Sequence, residues 1–149
     1  MSEHKATLVW ERGEAGFDYK NYSRNHTWTF ENGASLEGSA AANYLGDASK
    51  VDPEAAFTAS LSSCHMLTFL ALASFQKFVV DRYEDEAVGF LGKNDAGKMA
   101  ITRVELHPKI TFADGQEPSR EQLESLHHKA HEECFLANTV TCPIETILE

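Results

Sequence analysis

The sequence predicts the α+β class, on three observations. Its elements run strands, helix, strands, helix, strand, without the regular alternation of a doubly wound sheet. One stretch, Ala55 to about Phe78, carries apolar residues around nearly its whole circumference, the pattern of a buried central helix. The strand-like runs on either side come in pairs divided by turn residues, as antiparallel neighbours do. At 149 residues one domain spanning 1–149 is expected.

Thr7 to Glu11, His26 to Phe30 and Ala34 to Gly38 are short runs of aromatic or alternating character, and Glu31-Asn32-Gly33 between the last two reads as a hairpin turn. They predict an N-terminal antiparallel sheet. Gly13 to Ser23, with its glycines and charges, reads as an exposed loop, and Asn43 to Val51 as another. Asp52-Pro53-Glu54 then opens the long helix: a capping carboxylate, proline at the first helical position and acid in the first turn. Ala56, Phe57, Leu61, Met66, Leu67, Phe69, Leu70, Leu72 and Phe75 give that helix its apolar surface. Val79 to Leu91 and Met99 to Phe112 predict a long hairpin about the turn-rich Gly92 to Gly97. Ser119 and Gln122, three residues apart after Pro118, form a capping-box start for a second helix running to about Phe135. Thr139 to Leu148, rich in β-branched residues, reads as a last strand.

Composition narrows the function. The formal net charge is −10 and the 13 Lys and Arg are scattered, so a nucleic-acid duplex would be repelled rather than steered in. The most apolar run, Met66 to Phe75, is about half of the ~20 residues that span a bilayer. Met1-Ser2-Glu3-His4-Lys5 leads into strand-like Thr7 to Trp10 without the apolar core of a signal peptide. A soluble chain in the cytoplasm, with neither nucleic acid nor membrane as partner, is the expectation. Three cysteines without a Cys-x-x-Cys pair argue against a disulfide framework or a thioredoxin-type motif. A helix apolar all round needs more cover than one small sheet and a second helix provide, which predicts dimerisation through it.

Cys64 lies in Ser60-Leu61-Ser62-Ser63-Cys64-His65-Met66, where small polar residues interrupt the apolar helix. The serines either permit close helix packing or leave a cavity at the thiol, and spacing does not choose between these. Apolar surroundings disfavour a thiolate, so nucleophilic chemistry at such a site requires a nearby cation. Arg24 stands where a loop enters a strand, a place from which a side chain can reach inward. Glu54 can orient a guanidinium by a bidentate contact. Ten residues separate it from Cys64 on one helix, a rise of ~15 Å, so the two do not touch directly. Either Arg24 spans the gap or the glutamate comes from a second chain. His127, His131 and Cys134 follow at i, i+4 and i+7 along one helical face. This face either presents three zinc-type ligands or packs on the core with Cys134 toward Cys64, and the long reach needed to converge on one ion favours packing. Cys142, on the last strand, reads as a small apolar residue.

Taken together, the run from Val51-Asp52-Pro53-Glu54 through Ser62-Ser63-Cys64-His65 resembles the central-helix motif of the osmotically inducible protein C and organic hydroperoxide resistance superfamily. His131-Glu132-Glu133-Cys134-Phe135-Leu136-Ala137-Asn138 is similar to its second cysteine motif, and Tyr22 to Trp28 to its arginine-bearing N-terminal segment. The resemblance is nearer to the osmotically inducible branch. It implies an intertwined α+β homodimer with antiparallel sheets wrapped around long central helices and active sites at the subunit boundary. It also implies a peroxidase without a bound cofactor or metal. Cys64 would be the peroxidatic thiol, Cys134 the resolving thiol, Arg24 the guanidinium near the thiolate and Glu54 its orienting carboxylate. The substrates implied are organic hydroperoxides, with hydrogen peroxide less favoured if Phe57, Met66, Leu67 and Phe69 line the pocket. The reductant would be an external thiol or a small dithiol, lipoyl-type in the hydroperoxide-resistance branch, and the role defence against oxidative or osmotic stress. The competing readings are a redox-sensing or ligand-binding dimer without turnover, and the metal site.

Overall fold

Alternating aromatic and β-branched residues make the N-terminal strands, and tight turns set their register. The computed structural model describes residues 1–149, which divide into two compact units, Met1–Ala56 and Phe57–Glu149. In the first, β1 (Ala6–Val9), β2 (His26–Phe30) and β3 (Ser35–Gly38) form the expected antiparallel sheet in that order. Gly33, at φ 84°, supplies the left-handed residue of the β2–β3 turn, a conformation open to glycine at little cost. Gly38 is needed for a different reason. A Cβ there would lie 2.4 Å from Trp28 Nε1 and 2.8 Å from His26 Nε2.

Helix α1 (Pro53–Phe75) begins as its cap chemistry requires, with the Asp52 carboxylate accepting from the Ala55 amide at 2.8 Å. It ends three residues before the expected Phe78. Lys77 adopts a left-handed φ of 65°, and the amides of Lys77 and Phe78 close back on the carbonyls of Ser74 and Ala73. This is a Schellman-type stop made without glycine, so no residue signal announced it. At 23 residues α1 is long and apolar enough, by length and composition, to cross a membrane. Its buried residues are Thr58, Leu61, His65, Phe69 and Ala73, spaced three or four apart. Within one chain they form a single stripe, and the rest of the apolar surface is what the sequence assigns to a second chain. Leu67 and Phe75 are 61% and 83% exposed.

The remaining strands of the second unit form an interrupted hairpin. β5 (Val88–Lys93) pairs antiparallel with β6 (Met99–Leu106), and β4 (Val80–Asp85) with β7 (Pro108–Phe112). The expected long hairpin is therefore present, broken into two sheets where the chain passes Glu86-Ala87 and His107. Gly89 allows β5 to approach α1: a Cβ there would sit 2.2 Å from Thr58 Oγ1. The capping box at Ser119 and Gln122 starts α2 (Arg120–Glu133), which ends with Cys134 as its C-terminal cap.

The last strand is shorter than expected. Only β8 (Ile144–Thr146) is a strand, parallel to β6. Thr139 and Val140 instead donate their amides to Leu136, and the Thr139 hydroxyl bonds the Phe135 carbonyl at 2.7 Å. These local turn bonds override the β-branched preference and place Cys142 in the bend before β8, rather than on a strand. The core of this unit lies in two clusters. Phe69 and Ala73 of α1 meet Leu126 and Ala130 of α2, while Leu61 meets Val104 and Leu106 of β6. α1 belongs to both, and so fixes what lies along its buried stripe.

Candidate active site

The serines around Cys64 are accounted for individually. The Ser60 hydroxyl donates to the Phe57 carbonyl at 2.7 Å, within the helix. Ser62 donates to the carboxylate of Asp85, which also accepts the His107 amide at 2.6 Å. Asp85 thus ties the middle of α1 to the point where the long hairpin breaks. Thr68 completes the turn by donating to the Cys64 carbonyl at 2.9 Å. A polar anchor, rather than a cavity or merely close packing, is what Ser62 provides.

Cys64 is half-buried and Cys134 is 1% exposed, and both are free thiols. The two thiols are close enough for Cys64 to act on Cys134. Burial pushes the Cys134 thiol up, and the Cys64 contact pushes it further in the same direction. The amides of Ala137 and Leu136, in the turn after α2, act the other way. Cys134 is therefore held as a neutral thiol beside Cys64, with the two backbone amides alone favouring its ionised form. Cys142 packs against the Leu61, Val104 and Leu106 cluster.

Of the face read as either metal ligands or core packing, His127 packs, and its partner is His65, to which the sequence assigns no role. Their rings lie in the core, 2% and 3% exposed, with His65 Nε2 3.0 Å from His127 Nδ1. Burial, the larger cause, pushes both down to about 4; His131 contributes for His65, and His65 for His127, while Asp85 opposes the shift of His65. His127 also stacks on Phe69 at 4.4 Å between ring centroids. Its Nδ1 is thus committed to His65, and no three His, Cys, Asp or Glu side chains gather as metal ligands would.

In the first unit, Arg24 is held by its own loop. Nη1 donates to the Tyr22 carbonyl at 2.5 Å, Nη2 donates to the Tyr19 carbonyl, and the guanidinium lies 3.8 Å above the Tyr22 ring. It borders a cavity of about 400 Å3 walled by Trp10, Phe17, Tyr22 and His26. Glu54 is in the first turn of α1. Of the four expected site residues, Cys64 and Cys134 are brought together. Phe69, one of the apolar residues considered for a substrate pocket, is fully buried and packs against Leu126 and Ala130 of α2. Leu67 instead borders an open groove with Leu72 and Phe135.

A family model described as OsmC-like protein matches residues 46–149. That span contains Glu54, Cys64 and Cys134 and leaves Arg24 outside. Among solved structures, an OsmC-like protein of unknown function from Vibrio cholerae is 46% identical, with a TM-score of 0.95 and 100% of each chain covered. An organic hydroperoxide resistance protein OsmC from Legionella pneumophila is 20% identical, with a TM-score of 0.72 over 99% of this chain and 96% of that one. The organic hydroperoxide resistance protein OhrB of Bacillus subtilis is 20% identical, with a TM-score of 0.71 over 99% and 98%. The last two show a shared fold. No match was found among curated proteins.

Proposed function

The chain belongs to the OsmC-like family, and from that premise we propose that it is a cysteine-based peroxidase reducing organic hydroperoxides in the cytoplasm. One observation carries the reading: the contact between a half-buried Cys64 and a buried Cys134 whose thiol is held neutral. Two such thiols have distinct tasks. The more accessible one meets the substrate, and the other waits for the product of that encounter. The Legionella and Bacillus proteins, named for organic hydroperoxide resistance, support the choice of oxidant.

In the proposed cycle the Cys64 thiolate attacks the distal oxygen of the hydroperoxide. An S–O bond forms, the O–O bond breaks, and the alkoxide leaves to take up a proton as the alcohol. Cys134 then attacks the Cys64 sulfenic acid; its proton goes with the departing hydroxyl as water, and the disulfide closes. The Leu136 and Ala137 amides favour the Cys134 thiolate at that step. An external dithiol, of lipoyl type or another small one, returns two electrons and two protons by exchange. Arg24 is assigned to stabilising the Cys64 thiolate and the leaving alkoxide, and Glu54 to orienting that guanidinium, in a homodimer that supplies whichever chain is needed.

Adding one equivalent of cumene hydroperoxide to reduced protein tests the cycle. Peptide mapping is expected to find a Cys64–Cys134 disulfide with Cys142 free. Cys134→Ser is expected to stop at Cys64 sulfenic acid or its overoxidised forms. A disulfide involving Cys142, or an unmodified Cys64, would defeat the assignment. The sensor reading uses the same disulfide without turnover, and repeated cycles with a dithiol separate the two.

A further inference from the structure

The polar contact between His65 and His127 lies in the core between α1 and α2, where an apolar pair would pack without desolvating two imidazoles. The rings are within 4° of parallel, and His127 Nε2 is buried with no partner in the protein. The pair thus retains an unmet polar atom in order to keep one directional bond. What such a bond gives, and a leucine does not, is register: it fixes where along and around its axis one helix meets the other.

Register is what the neighbouring thiols require. His65 directly follows Cys64 on α1, and His127 precedes Cys134 by seven residues, about two turns of α2. A slip of one residue moves a helical side chain by ~1.5 Å along the axis and ~100° around it. A disulfide needs its Cβ atoms about 3.5–4.5 Å apart, a tolerance smaller than that slip. Ser62 and Asp85 tie α1 to the broken hairpin, and no cysteine of α2 is fixed by that bond.

We propose that His65 and His127 are positioning residues for the dithiol: their hydrogen bond sets the register of α1 on α2, and with it the effective concentration of the Cys134 thiol at Cys64. The proposal rests on the reading of Cys64 and Cys134 as a disulfide-forming pair, but it needs no peroxide to be tested.

The test is a redox titration of the full chain against mixtures of oxidised and reduced dithiothreitol, with the disulfide fraction read by alkylation and intact mass. Cys64 thiolate opens the cyclic disulfide, Cys134 displaces the second dithiothreitol thiol, and two electrons and two protons pass from protein to dithiothreitol. His65→Leu is expected to lower the equilibrium constant for closure about tenfold, the worth of one buried hydrogen bond. His65→Gln, whose amide reaches the Nε2 position, is expected to restore it to within about twofold. A His65→Leu value within about twofold of wild type overturns the proposal, as does a His65→Gln value as low as that of His65→Leu. Should His65→Leu not fold, His127→Phe, which keeps a ring on Phe69, takes its place under the same criteria. Wild-type protein that never closes the disulfide overturns this proposal and the redox reading together. Closure without hydroperoxide turnover removes only the peroxidase.

Discussion

At the scale of single residues, the chemistry is divided by burial. Cys134 is enclosed and its thiol pushed up; Cys64 is the more accessible of the two and is the thiol proposed to attack. The cysteines were legible because both stand in long motifs with recognisable neighbours. Arg24 rested on one short segment, and the structure shows its guanidinium occupied by two carbonyls and the Tyr22 ring. If it also serves Cys64, as proposed, Arg24→Met should slow alkylation of Cys64 by iodoacetamide near neutral pH several-fold. An unchanged alkylation profile from pH 5 to 9 would remove Arg24 from the site. The sequence marks His127 on a packing face and passes over His65, because a histidine on a helix gives no sign of its partner. Only the packing of two helices 62 positions apart in sequence reveals it.

At the scale of elements, starts were legible and stops were not. Asp52-Pro53 and the Ser119 capping box act through bonds to residues three positions away, so the signal is local. The end of α1 depends on Lys77 taking a left-handed conformation, and the end of α2 gives way to turns that displace a strand from Thr139–Cys142. The α1–α2 contact has a pH dependence. Both imidazoles are pushed down to about 4 from 6.5, with His131 opposing a charge on His65 and Asp85 favouring it. The folded chain therefore binds fewer protons than the unfolded one between these values. Stability from this source is complete above about pH 6.5 and is lost as pH falls through 4. The loss is on the order of 3 kcal/mol for the first imidazole to charge. Urea unfolding at pH 7 and pH 4.5 should show that loss in wild type and a smaller one in His127→Phe. Equal losses would mean that other groups govern acid stability.

At the scale of the whole molecule, the α+β class and the order of elements followed from the sequence, and within one chain α1 is buried along a single stripe. The stripe it leaves open, with Leu67 and Phe75 exposed and Phe135 close to Leu67 across a groove, is the physical ground for the proposed dimer. A stable interface buries roughly 1,200–2,000 Å2 in total, the area the open face of α1 and its flanking groove would have to contribute to. Native mass spectrometry at low micromolar concentration should find a dimer, and Leu67→Asp should shift it toward monomer. A wild-type monomer under those conditions would contradict the dimer and return Glu54 and Arg24 to a single chain. Membership of the OsmC-like family is compatible with turnover or with sensing, because the Vibrio relative is itself a protein of unknown function.

Steady-state consumption of cumene hydroperoxide, with excess dithiol and with wild type and Cys64→Ser side by side, tests the central claim most directly. Many turnovers by wild type and loss to the uncatalysed rate in Cys64→Ser are the predicted result. Turnover that survives Cys64→Ser, or wild type that closes its disulfide once and consumes nothing more with several dithiols, would contradict it.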